Sequence, residues 1–293
     1  MKYRVRHTTE YQYNAPVTLC YNMTHLLPRD TTNQRCLSRR IQVYPQPTYQ
    51  REGNDYFGNT VFYFSLQEAH KRLTIDVTSY FDIQKHKYES IIDTFPLTCG
   101  ELREQMVLAS TADIRLAKEY CLNSQLIRRS DELAQYVSGF FTDQALVLSA
   151  TKAFMHHIFT DFKFDATATN VTTAPEQVLK EKKGVCQDFA HFAIACLRSV
   201  GIPARYMSGY IETLPPPGQE KLVGADASHA WFAIFVPELG WVEFDPTNDL
   251  IPAEQHIVTA WGRDYADVTP IQGVIFDGGD SQNLKVSVDV SRV

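Results

Sequence analysis

The stretch Lys183-Gly184-Val185-Cys186-Gln187-Asp188-Phe189-Ala190-His191 constrains this chain most, because it sets a cysteine where a turn becomes a helix. Phe189, Phe192, Ala193, Cys196, Leu197 and Val200 recur as one apolar stripe at helical spacing. Cys186, three residues before Phe189, begins the same stripe. Gly201 predicts the stop and Pro203 bars the helix from resuming. A thiol at a helix N-terminus meets unpaired backbone N–H groups and the positive end of the helix dipole, and both favour the thiolate. Asp188, in the same first turn, opposes that by like charge. The helix alone therefore cannot activate the thiol, and a base from elsewhere in the chain is required.

The 293 residues allow one large domain or two modest ones with ample core. A formal net charge of −6 argues against a general nucleic-acid binder, whose phosphate contacts need a basic surface. No run of about 18 apolar residues exists to span a membrane, and the opening Met1-Lys2-Tyr3-Arg4-Val5-Arg6 lacks the apolar core of a secretion signal. Six scattered cysteines without a Cys-x-x-Cys pair suit reduced thiols in the cytoplasm better than a disulfide frame or a zinc site. No metal or other cofactor is expected.

Residues 1–86 read as a β domain. Tyr3-Val5-His7, Ile41–Tyr44, Thr60–Phe64 and Leu73–Val77 are β-branched or aromatic runs, separated by turn signals such as Asn14-Ala15-Pro16 and Gly53-Asn54-Asp55. That spacing predicts a sandwich. His7, His25, His70 and His86 are isolated and read as surface or edge histidines. Residues 87–293 read as a helical connector and a core ending in the strand Asn283–Val290. Residues 101–121 and 131–159 carry helical spacing, with Ser130 and Thr142 as caps, and Thr173 caps a short helix with Pro175 in its first turn. His156-His157 is not a metal pair, because neighbours on a helix point about 100° apart. His191, about 140° around the helix from Cys186, reads as structural. The stiff loop Leu214-Pro215-Pro216-Pro217-Gly218-Gln219-Glu220 is expected to rim the cleft.

His229 opens one predicted strand and Asp245 ends the next. With Cys186 they supply a thiolate to attack a carbonyl, an imidazole to take and return the proton, and a carboxylate to orient the ring. Hairpin register tests this grouping, since a slip of one residue reverses every face. Val236 opposite Trp241 would turn Asp245 away from His229. Phe235 opposite Trp241, or a bulge, places both on one face. Read singly, each of the three residues also has an ordinary structural explanation. Trp231 shares the face of His229, as cleft wall or as core. Asp226 and Ser228 either set the approach to His229 or make the turn.

Four segments together carry a resemblance: Gly184-Val185-Cys186-Gln187-Asp188-Phe189-Ala190-His191, Gly201-Ile202-Pro203-Ala204-Arg205-Tyr206-Met207-Ser208-Gly209-Tyr210, Asp226-Ala227-Ser228-His229-Ala230-Trp231 and Gly240-Trp241-Val242-Glu243-Phe244-Asp245-Pro246-Thr247-Asn248. The pattern resembles the bacterial transglutaminase-like family, with Tyr3–Tyr11 similar to its N-terminal β domain and Trp261–Val268 similar to its C-terminal segment. The resemblance implies an α+β fold: a papain-like transglutaminase core, with the nucleophile at a helix N-terminus packed on an antiparallel sheet, preceded by a sandwich-like β domain. It implies Cys186 as nucleophile, His229 as base and Asp245 as orienting acid, acting on a protein or peptide amide through an acyl-thioester. Hydrolysis, as in a cysteine peptidase, is the first expectation. Protein-glutamine γ-glutamyl transfer to an amine and an inactive peptide-binding module are the alternatives. The backbone N–H of Cys186 is one oxyanion donor. Family members often carry tyrosine where this chain has Phe164, which cannot donate, so Gln187 is considered as a substitute.

Overall fold

A computed structural model describes residues 1–85, 88–167, 170–212 and 228–293. His86, the proline-rich loop at 214–220 and Asp226 lie outside the described residues. The N-terminal part contains β1 (Lys2–Thr24), β2 (Gln34–Tyr44), β3 (Tyr49–Asn54), β4 (Thr60–Leu66) and β5 (His70–Ile83). Helices α1 (Cys99–Leu108), α2 (Ala112–Lys118), α3 (Asp131–Val137) and α4 (Val147–Asp161) follow. Then come β6 (Lys163–Phe164), α5 (Pro175–Glu181), β7 (Lys183–Gly184) and α6 (Cys186–Ser199). The chain closes with β8 (Ala204–Ile211), β9 (Ser228–Val236), β10 (Gly240–Phe244), β11 (His256–Gly262), β12 (Ile271–Asp277) and β13 (Gln282–Arg292).

The sandwich-like domain is built around β1. Its first half pairs with β5 on one side and β13 on the other, and its second half pairs with β4 and β12. All seven strands form one sheet, order β2-β5-β1-β4-β3 with β12 and β13 also on β1, and the irregularity between Gln12 and Val17, at Asn14-Ala15-Pro16, divides β1 into its two halves. Tyr13, Val17, Phe64 and Ile75 belong to the domain's buried apolar cluster. The final strand was expected to belong to residues 87–293. Its hydrogen bonds instead return it, with β12, to the N-terminal sheet. Period-two alternation marks a strand but not its partner. His7, His25 and His70 are also corrected: all three are buried rather than at the surface. His7 bonds the Tyr210 hydroxyl across the domain junction.

The core sheet has the order β10-β9-β8-β11, and α6 packs against β9 and β8. Every residue of α6 from Asp188 to Arg198 is buried, so the apolar stripe became a whole circumference. Phe192 at its centre, 0% exposed, contributes about 1.5–3 kcal/mol by burial alone. Gly201 at φ 77° ends the helix as expected. Ser130 caps α3 by accepting the Leu133 N–H. Thr142 caps nothing, because its loop is pinned to the start of α1 through Gly100 N–H to Asp143 O and Val147 N–H to Leu97 O. Thr173 does not cap α5 either: its hydroxyl accepts the Asn170 N–H, one turn too early. Among the described residues no helix is long and apolar enough to cross a membrane.

Two side-chain amides join the halves. β11 is an edge strand, with unpaired backbone groups that need partners. Gln34 donates to Val258 O at 2.8 Å and accepts from Val258 N–H at 2.9 Å. Asn59 does the same for Trp261, at 2.8 and 2.9 Å. Each amide thus stands in for one rung of a missing strand. Replacing Asn59, which is fully buried, by alanine leaves both Trp261 groups unpaired and should cost about 2–4 kcal/mol. Urea denaturation of Asn59→Ala measures this; a loss within experimental error would show that the clamp is dispensable.

Candidate active site

The short parallel pair β6–β7 delivers the chain to Cys186: Lys163 N–H donates to Lys182 O and Asp165 N–H to Gly184 O. Phe164 lies opposite Gly184 in this pair and is exposed. Gly184 is required there. A Cβ would fall 2.8 Å from Asp188 Oδ2, the oxygen that accepts the Val185 N–H at 2.7 Å. Asp188 thus holds the first turn of α6 in place, at the cost of the like charge noted above. The Cys186 side chain is half-buried at that helix start.

The β9–β10 hairpin has Phe235 opposite Trp241 and Val236 opposite Gly240, so His229 and Asp245 share a face. Positive φ at Glu238 and Gly240 closes the turn. Gly209, opposite His229, lets the strands close: a Cβ there would lie 1.9 Å from Ile257 O and 2.9 Å from the Trp231 ring. His229 Nε2 donates to Asp245 Oδ2 at 2.7 Å. Nδ1 is the ring nitrogen left for Cys186, which is near enough to the imidazole to help raise its pKa. Burial opposes protonation of His229. The hydrogen bonds to Asp245 and Cys186 and the charges of both outweigh it, pushing its pKa up to about 10.

Asp245 is fully buried and is the hub of the site. Oδ2 also accepts from His256 Nε2 at 2.9 Å and from Asn248 Nδ2 at 2.8 Å. Oδ1 accepts from the backbone N–H groups of Thr247 at 3.0 Å and Asn248 at 3.3 Å. Burial favours the acid form, but the His229 and His256 bonds and charges win and hold the carboxyl well below the ordinary carboxylate range. His229, Asp245 and His256 also have the spacing of a metal-ligand cluster. Two ligands about 2.0 Å from a tetrahedral ion stand about 3.3 Å apart. The contacts at 2.7 and 2.9 Å are the shorter ones of charge-assisted hydrogen bonds.

The other expected residues divide. Trp231 is core: fully buried, its ring lies 5.7 Å from His229 at 23° and its Nε1 donates to Glu243 Oε2 at 2.7 Å. Gln187 donates its amide to Val171 O rather than turning to the thiol. His191 is structural, its Nε2 accepting the Tyr265 N–H. His156 and His157 go apart, to Asp249 and to Tyr136. Sequence reasoning missed His256 and Asn248. His256 sits at the start of β11, 27 positions beyond His229, with no motif to connect them. Asn248 closes the segment that resembles the family, but only the turn that ties Asp245 to Leu250 shows its role. Tyr206, also missed, is buried on β8 with its ring 5.1 Å from that of His191, and burial pushes its phenol well up.

Residues 3–82 match the bacterial transglutaminase-like N-terminal region, and residues 131–246 match the transglutaminase-like superfamily. An uncharacterized protein of Mycobacterium tuberculosis is 36% identical over 300 residues, covering 99% of this chain and 92% of its own length. A protein-glutamine gamma-glutamyltransferase of Pseudomonas aeruginosa is 33% identical over 124 residues, 42% of this chain and 18% of that protein. Among solved structures, a protein of Cytophaga hutchinsonii described as a candidate cysteine protease superposes with a TM-score of 0.76 at 22% identity, over 100% of this chain and 91% of that one. That likeness concerns the fold.

The two shifted groups predict opposite pH limbs. Asp245, lowered on folding, contributes stability that is present above its ordinary value of 3.8 and lost as pH falls below it. His229, raised on folding, contributes stability that is complete below 6.5 and lost as pH rises towards 10. Thermal unfolding across this range should show Tm falling on both sides, with the acid limb flattened in Asp245→Asn. An acid limb unchanged in that variant would remove the carboxylate from this role.

Proposed function

The chain belongs to the bacterial transglutaminase-like proteins of the transglutaminase-like superfamily, and from that premise we propose that it is a cysteine-nucleophile amide hydrolase, a cysteine peptidase with Cys186, His229 and Asp245 as its triad. The observation that carries this reading is the buried His229–Asp245 hydrogen bond at 2.7 Å, which leaves the ring's other nitrogen for Cys186, a neighbouring thiol at a helix N-terminus that helps raise the imidazole pKa. The Cys186 thiolate attacks the amide carbonyl, forming a C–S bond. Nδ1 of protonated His229 delivers its proton to the leaving amine as the C–N bond breaks. Neutral His229 then takes a proton from water, whose oxygen displaces the thiolate from the acyl-thioester. Asp245 holds the ring at Nε2 throughout and stabilises the imidazolium. The Cys186 backbone N–H, without an acceptor in the first helical turn, supports the oxyanion. His256 is a positioning residue, sharing Oδ2 with His229 and fixing the carboxylate's rotation. The six free thiols support a cytoplasmic setting.

A second reading gives the acyl group to an amine instead of water, as a protein-glutamine γ-glutamyltransferase. The local match to the Pseudomonas aeruginosa enzyme favours it. Casein with and without a fluorescent amine separates the two. Fragments that disappear in Cys186→Ala mark a peptidase, and amine incorporation without fragments marks the transferase. Neither, with the folded wild type, would leave the peptide-binding module.

Activation of the thiol is tested apart from any substrate. Burial pushes up the thiols of Cys20, Cys36, Cys99, Cys121 and Cys196. At pH 7 iodoacetamide should modify Cys186 at least about tenfold faster than any of these, as an ion-paired thiolate requires. His229→Ala should slow the Cys186 reaction by about tenfold while leaving the other five unchanged. Peptide mapping reads it, and equal rates at all six would end the nucleophile assignment.

A further inference from the structure

On the face of the core sheet that carries His229, the side chain of Arg205 extends from β8 opposite Ala233. It lies about 13 Å along the strand from the His229 position, at about 3.3 Å per residue. Its guanidinium is sandwiched between Trp241 and Trp261, 4.3 and 3.8 Å from the two ring centroids. The side chain is 5% exposed. Nε is buried without a partner, and among the described residues the guanidinium makes no hydrogen bond or ion pair. The other deeply buried arginine shows how unusual this is: Arg198 donates to Leu122 O, Ser124 Oγ, Ala204 O and Arg263 O. A buried cation is ordinarily paired, because leaving it unpaired forfeits its hydration without return. Burial brings the Arg205 pKa down to about 9, which still leaves it charged at neutral pH.

Arg205 lines a cavity of about 510 Å³ between the core sheet, α2 and the N-terminal domain. That volume lies in the range of small-molecule sites. The walls are aromatic, with Tyr56, Phe57, Tyr120 and Trp241. The carboxylates present are spoken for or stand on the other wall. Glu243 accepts from Trp231. Glu119, which receives the Tyr56 hydroxyl, and Asp113 come from the helical side. The cavity therefore offers an unpaired guanidinium on its sheet wall, acidic groups on its helical wall and aromatic surface between them.

We propose that this cavity binds a free amino acid with an apolar side chain, its carboxylate on Arg205 and its ammonium towards Glu119 and Asp113. A carboxylate supplies the planar pair of acceptors that a guanidinium fork takes. The ammonium answers the acidic wall, and the side chain covers aromatic surface that water otherwise wets. The assignment does not rest on the thiol chemistry, and Cys186 takes no part in it.

The test uses the full chain and phenylalanine as the probe, read by tryptophan fluorescence, because Trp241 and Trp261 are two of the chain's three tryptophans. A saturable change with half-saturation in the low millimolar range or tighter is expected for a ligand of this size, together with a rise in Tm. Phenylalaninamide, which lacks the carboxylate, should bind about tenfold more weakly or worse. N-acetylphenylalanine, which lacks the ammonium, should also weaken by several-fold. Arg205→Gln should lose the response. No saturable response in the wild type, or equal binding of either analogue, overturns the assignment; so does unchanged binding in a folded Arg205→Gln. If that variant does not fold, the comparison of the three probes on the wild type decides alone.

Discussion

A fully buried carboxylate is the constraint on which this structure turns. Asp245 sits at the end of β10 with no solvent to share its charge, so it requires donors from several directions at once. His229 comes from β9, His256 from β11, and Asn248 with the Thr247 and Asn248 backbone from the tight turn that follows it. Those requirements fix the register of the β9–β10 hairpin, the closure of the Asp245–Leu250 turn and the place of β11 across the sheet. Satisfying the carboxylate and orienting the imidazole are therefore one physical event. A register slip of one residue would bury the charge unpaired, a cost that the packing of the sheet cannot absorb.

The N-terminal domain is part of the same argument. β11 carries His256 to Asp245, yet its outer edge has no neighbouring strand. Gln34 and Asn59 supply the missing rungs from the other domain, and the return of β12 and β13 to β1 ties the end of the chain to its beginning. Arg29, stacked on Trp261 and donating to the Phe57 carbonyl, joins the same seam. The two family segments are thus folded into one another rather than strung along the chain. The cavity at their junction exists because both contribute walls.

The helix and the thiol were legible because both depend on near neighbours. Phe189, Phe192, Ala193 and Cys196 announce their stripe by spacing, and Gly201 announces its end. The pairing of Phe235 with Trp241 was legible in a different way. That register, or a bulge in the longer turn, lets His229 and Asp245 share a face, so a chemical demand selected among turns that local sequence left open. Trp231 shows the limit of such reasoning. Strand parity placed it on the face of His229, but whether that face was solvent or core depended on what packed over it, and the ring is buried against His256.

The sequence by itself determined the elements that hydrogen bonds between near neighbours and side-chain periodicity dictate: the turn into α6, the strands of the core, and three residue types able to form a relay. Tertiary structure alone decided which distant groups complete them. His256 reaches Asp245, Gln34 and Asn59 reach β11, β13 reaches β1, and Arg205 is stacked between two tryptophans with no hydrogen bond or ion pair among the described residues. The physical reason is separation along the chain. Periodicity reports which way a side chain points, while the partner it meets is set by how sheets stack and close. β11, a nearly continuous buried run, and β13, an alternating one, each announced a strand, but only the backbone edges waiting for them decided which sheet each joined.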